Sequence, residues 1–130
     1  MKFLLDVNTL IALGFREHVF HERVAHWFSN EGEQCLTCSI TELGFVRVLA
    51  QAPQYALNVS DARTLLYKLK VASGGRIGFI SDGNDIQHLP AWIRFPLQLT
   101  DGHLSRLAAS NSAVLATLDA KIPDAFLIPD

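Results

Sequence analysis

The sequence predicts an α/β fold, a three-layer α/β/α sandwich whose central, mostly parallel sheet holds four to five strands. Three observations carry this. Short apolar runs alternate with segments of helical period along the whole chain. The runs are continuous rather than alternating polar and apolar, as expected for strands covered on both faces. And 130 residues with 49% hydrophobic composition are enough for one domain, residues 1–130, with a sizeable core.

Lys2 to Leu5 is an apolar run ending at Asp6, and reads as a buried strand carrying a carboxylate at its C-terminal end. Leu10 to Leu13 forms a short helical turn. Phe20, Val24, Trp27 and Phe28 fall at i, i+4, i+7 and i+8, one face of an amphipathic helix that Gly32 ends. Gln34 to Cys38 is a second strand. Ser39-Ile40-Thr41-Glu42 then has the form of a capping box, opening a helix that runs towards Ala50, with Pro53 closing the segment. Ala62, Leu65, Leu66 and Leu69 mark a further helix, with Ser60 as N-cap and Gly74-Gly75 as its stop.

Ile77 to Ile80 is a third strand, running into the turn cluster Ser81-Asp82-Gly83-Asn84. Between Asp85 and Leu99, Pro90 and Pro96 break any regular pattern, so this stretch reads as loop and short helix. Thr100-Asp101 opens a helix with Leu104, Leu107 and Ala108 on one face. Val114 to Thr117 is a strand ending near Asp119, and Ala125 to Ile128 a last edge strand.

In a parallel sheet, ligands bind beyond the carboxyl ends of the strands. Asp6 and Asp119 follow such ends, while Glu42 and Asp101 lie in the first turns of helices that begin at the same rim. Four carboxylates brought together raise one another's pKa values. A hard divalent cation removes that cost: Mg2+ takes oxygen ligands, keeps several waters and uses one or two protein carboxylates directly. Asp6 and Asp101 are the expected direct ligands, Asp119 a ligand or water-mediated contact, and Glu42 the residue that orients an attacking water or a second cation. Over a phosphodiester, such a site has the groups a hydrolytic nuclease needs.

The set Asp6-Val7-Asn8-Thr9, Thr41-Glu42, Thr100-Asp101-Gly102-His103-Leu104-Ser105-Arg106-Leu107-Ala108 and Leu115-Ala116-Thr117-Leu118-Asp119 resembles a PIN domain, specifically a VapC-type toxin of a bacterial toxin–antitoxin pair. The resemblance spans essentially the whole chain, through the order and spacing of all four acids. It implies a Mg2+-dependent endoribonuclease, with Mn2+ able to substitute, acting on tRNA or rRNA, usually as a homodimer, and inhibited by a cognate antitoxin. The family's four acids map onto Asp6, Glu42, Asp101 and Asp119, and its supporting polar positions onto Asn8 and Thr117. Gly102 and His103 depart from the small apolar residues expected after the third acid.

The net charge of −2, from 13 acids and 11 bases, looks unfavourable for binding RNA. With four acids in a metal-neutralised pocket, 9 acids face 11 bases, a balance compatible with nucleic acid. Arg16, Arg47 and Arg106 are candidates for touching it. No stretch has the apolar length of a signal segment or a membrane span, which places the expected location in the cytoplasm.

Other motifs have plainer explanations. Cys35 and Cys38 have redox spacing, but lack the proline or aromatic neighbours of a redox motif, so buried free thiols are expected. His21 and His26 are five residues apart, about 140° round a helix, and do not share a metal. Asp82, Asn84 and Asp85 lack calcium-loop spacing and read as a solvated turn. Trp92 is expected to pack rather than stack a base. Val46 to Leu49 and Leu65 to Leu69 fit a dimer surface or the core equally.

Two competing functions remain open on the residues alone. An aspartyl phosphatase of the haloacid dehalogenase class would use Asp6 as nucleophile, but wants an acid where Asn8 stands. A non-catalytic, receiver-like Mg2+-binding module would need a lysine at a strand end, for which Lys121 is the candidate.

Overall fold

The computed structural model describes residues 1–31 and 34–130; the helix stop assigned to Gly32 lies outside the described residues. Strands β1 (Lys2–Leu5), β2 (Gln34–Thr37), β3 (Ile77–Phe79), β4 (Ala113–Thr117) and β5 (Phe126–Leu127) form one sheet in the order β3-β2-β1-β4-β5, all neighbours parallel. This is the predicted architecture, at the upper end of the expected strand number.

Alternation along each strand divides the core in two. Phe3 and Leu5 of β1, Cys35 of β2 and Ala116 of β4 point to one face. They pack there against α1 (Val7–Gly14), α2 (His21–Asn30), α3 (Ser39–Gln51) and α4 (Val59–Ala72). Leu4, Leu36 and Leu115 point to the other face, against Leu104, Leu107 and Ala108 of α5 (Leu99–Ser110). Trp92 and Ile80 pack at the margin of this second core, so Trp92 is a packing residue as expected.

Leu49 and Leu66 are buried in the first core, and Val46, Val48, Leu65 and Leu69 pack partly buried against it. Cys35 and Cys38 are free, buried, and on opposite faces of the sheet. Burial pushes the Cys35 thiol up to about 12, so it carries no thiolate at neutral pH. Gly74 and Gly75 end α4 at φ of +64° and +89°, a conformation that side chains with a Cβ rarely adopt.

Three local expectations are corrected. The N-cap of α3 is Cys38, not Ser39, and the reciprocal partner is Thr41, whose Oγ1 accepts from the Cys38 N–H at 3.0 Å. Glu42 therefore has no capping role. The N-cap of α4 is Asn58, not Ser60: its side chain accepts from the Asp61 N–H at 2.7 Å, and Asp61 returns the contact at 3.3 Å. Both errors arose because several hydroxyl and amide residues cluster before each helix, and only backbone direction selects among them. Phe20 precedes α2 and is exposed, since the chain has not yet turned helical where its spacing would bury it.

The irregular stretch contains two short 3-10 turns, Ile86–His88 and Pro96–Gln98. Gln98 Oε1 accepts from the N–H groups of Arg94 (2.7 Å) and Phe95 (3.0 Å), which fixes the approach to α5. Gly102 sits where the same stretch crosses the helix. A Cβ there would lie 2.0 Å from Ile93 Cδ1, which explains a glycine in place of a larger residue. His103, buried, makes a 2.5 Å contact through Nε2 with Asp82 Oδ2. Asp82 thus ties the turn after β3 to α5 rather than only facing solvent.

Candidate metal-binding active site

In this strand order, β1 continues to β2 on one side while the chain later returns to place β4 on the other. The crevice where the order reverses, between the carboxyl ends of β1 and β4, is where open parallel sheets bind ligands. Asp6 leaves β1 into this crevice as the N-cap of α1, its Oδ1 accepting from the Val7 N–H at 2.8 Å. The β4 end supplies Thr117, whose hydroxyl donates to Asp6 Oδ2 at 2.8 Å. Two carboxyl oxygens are thereby fixed by two donors from different elements.

Thr117 is the hub of the site. Its Oγ1 accepts from the Asp119 N–H at 3.0 Å and from Asn8 Nδ2 at 3.3 Å. Asn8 Oδ1 in turn accepts from the Leu118 N–H at 3.1 Å and from Thr9 Oγ1 at 3.0 Å, and Thr9 Oγ1 also reaches the Ala116 carbonyl. Thr9 belongs to the motif after β1, but its bonding role has no local signal, because its partner lies 107 residues away. Replacing Thr117 with Val removes the donor to Asp6 and the acceptor for Asn8. We expect activity to fall by about 10- to 100-fold, with the overall fold retained by circular dichroism; unchanged activity in Thr117→Val rejects the hub role.

Asp6, Asp101 and Asp119 are brought together. Burial is the main cause that raises the Asp6 pKa, opposed by the Thr117 and Val7 hydrogen bonds and reinforced by the charge of Asp119. Asp101, in the first turn of α5, is raised by burial and then by the charges of Asp6 and Asp119. Asp6 and Asp101 are thus both disfavoured as anions, by burial first and by a neighbouring acid second, the electrostatic signature of a site short of positive charge.

Glu42 has partners of its own. Its Oε2 accepts from Thr37 Oγ1 and from Lys70 Nζ, both at 2.6 Å. Neither partner was singled out in the sequence: Lys70 sits 28 residues away in the last turn of α4, where a cation also suits the helix dipole. Arg16, Arg47 and Arg106 are all exposed, on α1's C-terminal connection, α3 and α5 respectively.

The donor set is oxygen only, which suits a hard cation and not zinc. Among the described residues no group of three or more His, Cys, Asp or Glu is placed to hold a metal ion by itself. Residues that hold a cation partly through its own waters require no such group, and Asp6 and Asp101 are the carboxylates positioned for it. The competing geometries fare less well. Asn8 is consumed in binding Thr117 and Leu118, so no second acid stands beside Asp6 as a phosphatase nucleophile motif requires. Lys121 meets Asp119 through its backbone N–H at 2.9 Å, a turn contact rather than the ammonium contact of a receiver.

No helix among the described residues is long and apolar enough to cross a membrane. No family model matches the chain. Relatives do. Ribonuclease VapC38 of Mycobacterium tuberculosis is 36% identical over 124 residues, covering 92% of this chain and 86% of the relative. Ribonuclease VapC44 of the same organism is 34% identical over 129 residues, covering 94% and 89%. Two solved structures share the fold: VapBC2 from Rickettsia felis bound to a promoter DNA fragment (TM-score 0.65, 13% identity, 98% and 97% covered), and M. tuberculosis VapC20, a toxin that cleaves the sarcin–ricin loop (TM-score 0.62, 8% identity, 92% of each chain covered). The identity to the ribonucleases over nearly the full length makes this chain a member of the VapC ribonuclease family.

Proposed function

We propose that this protein is a Mg2+-dependent endoribonuclease, the toxin of a toxin–antitoxin pair, that hydrolyses phosphodiester bonds in structured RNA such as tRNA or rRNA. The observation that carries the reading is the meeting of Asp6, Asp101 and Asp119 in the β1/β4 crevice, the first two disfavoured as anions by burial and then by neighbouring acids. Relatives named as ribonucleases supply the substrate class, and the VapBC2 neighbour supplies the kind of partner, a cognate antitoxin. A cytoplasmic homodimer is the form in which we expect it to act.

When bound, a divalent cation would polarise the phosphoryl oxygen and lower the pKa of an attacking water. The chain's own groups do the rest. Asp6 and Asp101 supply the anionic oxygens that hold the cation. Thr117 and the Val7 N–H keep the Asp6 carboxylate in one orientation, so no reorganisation is needed on binding. Asn8 and the Leu118 N–H fix the β4 end against the start of α1, which sets the separation of Asp6 from Asp119. Exposed arginines on the surrounding elements are available for phosphate contacts.

Purified protein should cleave structured RNA with Mg2+ or Mn2+ and stop on addition of EDTA. Expressed alone it should arrest growth, and Asp101→Ala should not. RNA cleavage that continues undiminished in excess EDTA overturns the metal-dependent reading.

A further inference from the structure

Of the four expected acids, Glu42 is the one whose carboxylate is paired with an ammonium among the described residues. Its carboxylate is held between the end of β2, through the Thr37 hydroxyl, and the end of α4, through the Lys70 ammonium. β2 is the parallel neighbour of β1, so Glu42 opens its helix one strand over from Asp6 at the same rim of the sheet. After burial, the charge of Asp119 raises Asp6, and the charges of Asp6 and Asp119 raise Asp101.

Lys70 does not depend on Glu42 for its place. Its Nζ lies 5.6 Å from the centroid of Phe79 at the end of β3, a cation–π contact, and its stem belongs to the last turn of α4, where the dipole favours a cation. The two side chains are 30% and 24% exposed, so solvent screens the pair less than it would at the surface. With Lys70 present, both Glu42's charge and one of its oxygens are already satisfied.

We propose that Lys70 is a positioning residue that withholds Glu42 from the metal-binding set of Asp6, Asp101 and Asp119. A divalent cation must displace the ammonium before it can use the fourth carboxylate. The pair therefore keeps one carboxylate out of the anionic ligand set and leaves cation binding weaker than it would be with Glu42 free, since affinity for hard cations rises with the count of charged ligands. Without Lys70, Glu42 becomes a half-buried acid with only the Thr37 hydroxyl to satisfy it, and a neighbouring cation is the partner that restores its balance.

This inference rests on the metal-binding reading above, and one experiment separates the two. Mn2+ is titrated calorimetrically into the full chain and its variants. Lys70→Met should bind Mn2+ about three- to tenfold more tightly than wild type. Lys70→Arg, which keeps the ion pair, should bind as wild type does, and Glu42→Gln alone should change little. The double variant Lys70→Met with Glu42→Gln should lose the gain. Should Lys70→Met melt at a lower temperature yet bind Mn2+ as wild type does, the pair is merely structural and the proposal is overturned. Asp6→Asn is the control: if it leaves Mn2+ affinity unchanged, the metal-site reading falls and the role of Lys70 falls with it.

Discussion

Asp6→Asn is expected to lower RNA cleavage by at least about 10²-fold while raising the melting temperature of the metal-free protein. The two effects have one origin. Asp6 is 6% exposed, and burial together with the charge of Asp119 disfavours its anion. An acid whose pKa rises on folding holds its proton more firmly in the folded state. Its contribution to stability is thus present below the ordinary aspartate value of 3.8 and is lost as pH rises through the raised folded value.

At neutral pH the metal-free protein therefore carries a cost that Asn does not. The amide oxygen can still accept from the Val7 N–H, and the Thr117 hydroxyl can receive the amide N–H once the longer 3.3 Å bond from Asn8 is given up. We expect a stabilisation of roughly 0.5–2 kcal/mol, the usual size of a single stabilising substitution. The measurement is thermal melting in EDTA at several pH values. The gain should shrink as pH falls, because wild-type Asp6 is then protonated as well. Saturating Mg2+ should narrow it too, by stabilising wild type alone. A variant that melts lower than wild type in EDTA at neutral pH rejects the electrostatic account even if cleavage is lost.

Trp27→Ala is expected to cost about 3–5 kcal/mol, a large share of the stability of any domain this size, whereas Trp27→Phe should cost far less. Trp27 is 2% exposed and meets Phe3 of β1 edge-on at 5.0 Å between ring centroids, and Phe126 of β5 at 5.8 Å. Phe3 and Phe126 themselves touch at 5.0 Å. The three rings join α2 to strands on both sides of β4, and the Ala variant leaves a cavity beneath the strand that delivers Asp6. The indole nitrogen is buried without a hydrogen-bond partner among the described residues, so replacing it with a phenyl ring sacrifices no such bond. Chemical denaturation of both variants checks this: equal losses would mean that the indole N–H, not ring packing, holds the cluster.

The parts of the molecule that were legible in the sequence are those governed by local pattern. The apolar runs at Lys2–Leu5 and Ala113–Thr117 identify their strands because both faces are covered. The spacing of Val24, Trp27 and Phe28 identifies the buried face of α2. Asp6 stood out because an acid that closes a buried strand needs a partner, and the order of the four acids along the chain carried the family. The glycine pair after Ala72 marked a helix end through backbone conformation alone.

What tertiary structure decided is which polar group meets which, because those partners are far apart in sequence. Thr117 lies 111 residues from Asp6, and Asn8 lies 110 from Leu118. Only parallel pairing of β1 with β4, Leu5 against Ala116, brings them to one crevice. Glu42 shows the limit most clearly. Its sequence neighbourhood offered a helix cap and its place among the acids offered the metal, yet the fold gave its carboxylate to Lys70 and Thr37. Periodicity and turn chemistry are local quantities and set the elements; hydrogen bonds and ion pairs between side chains depend on distances that exist only once the sheet order has been chosen.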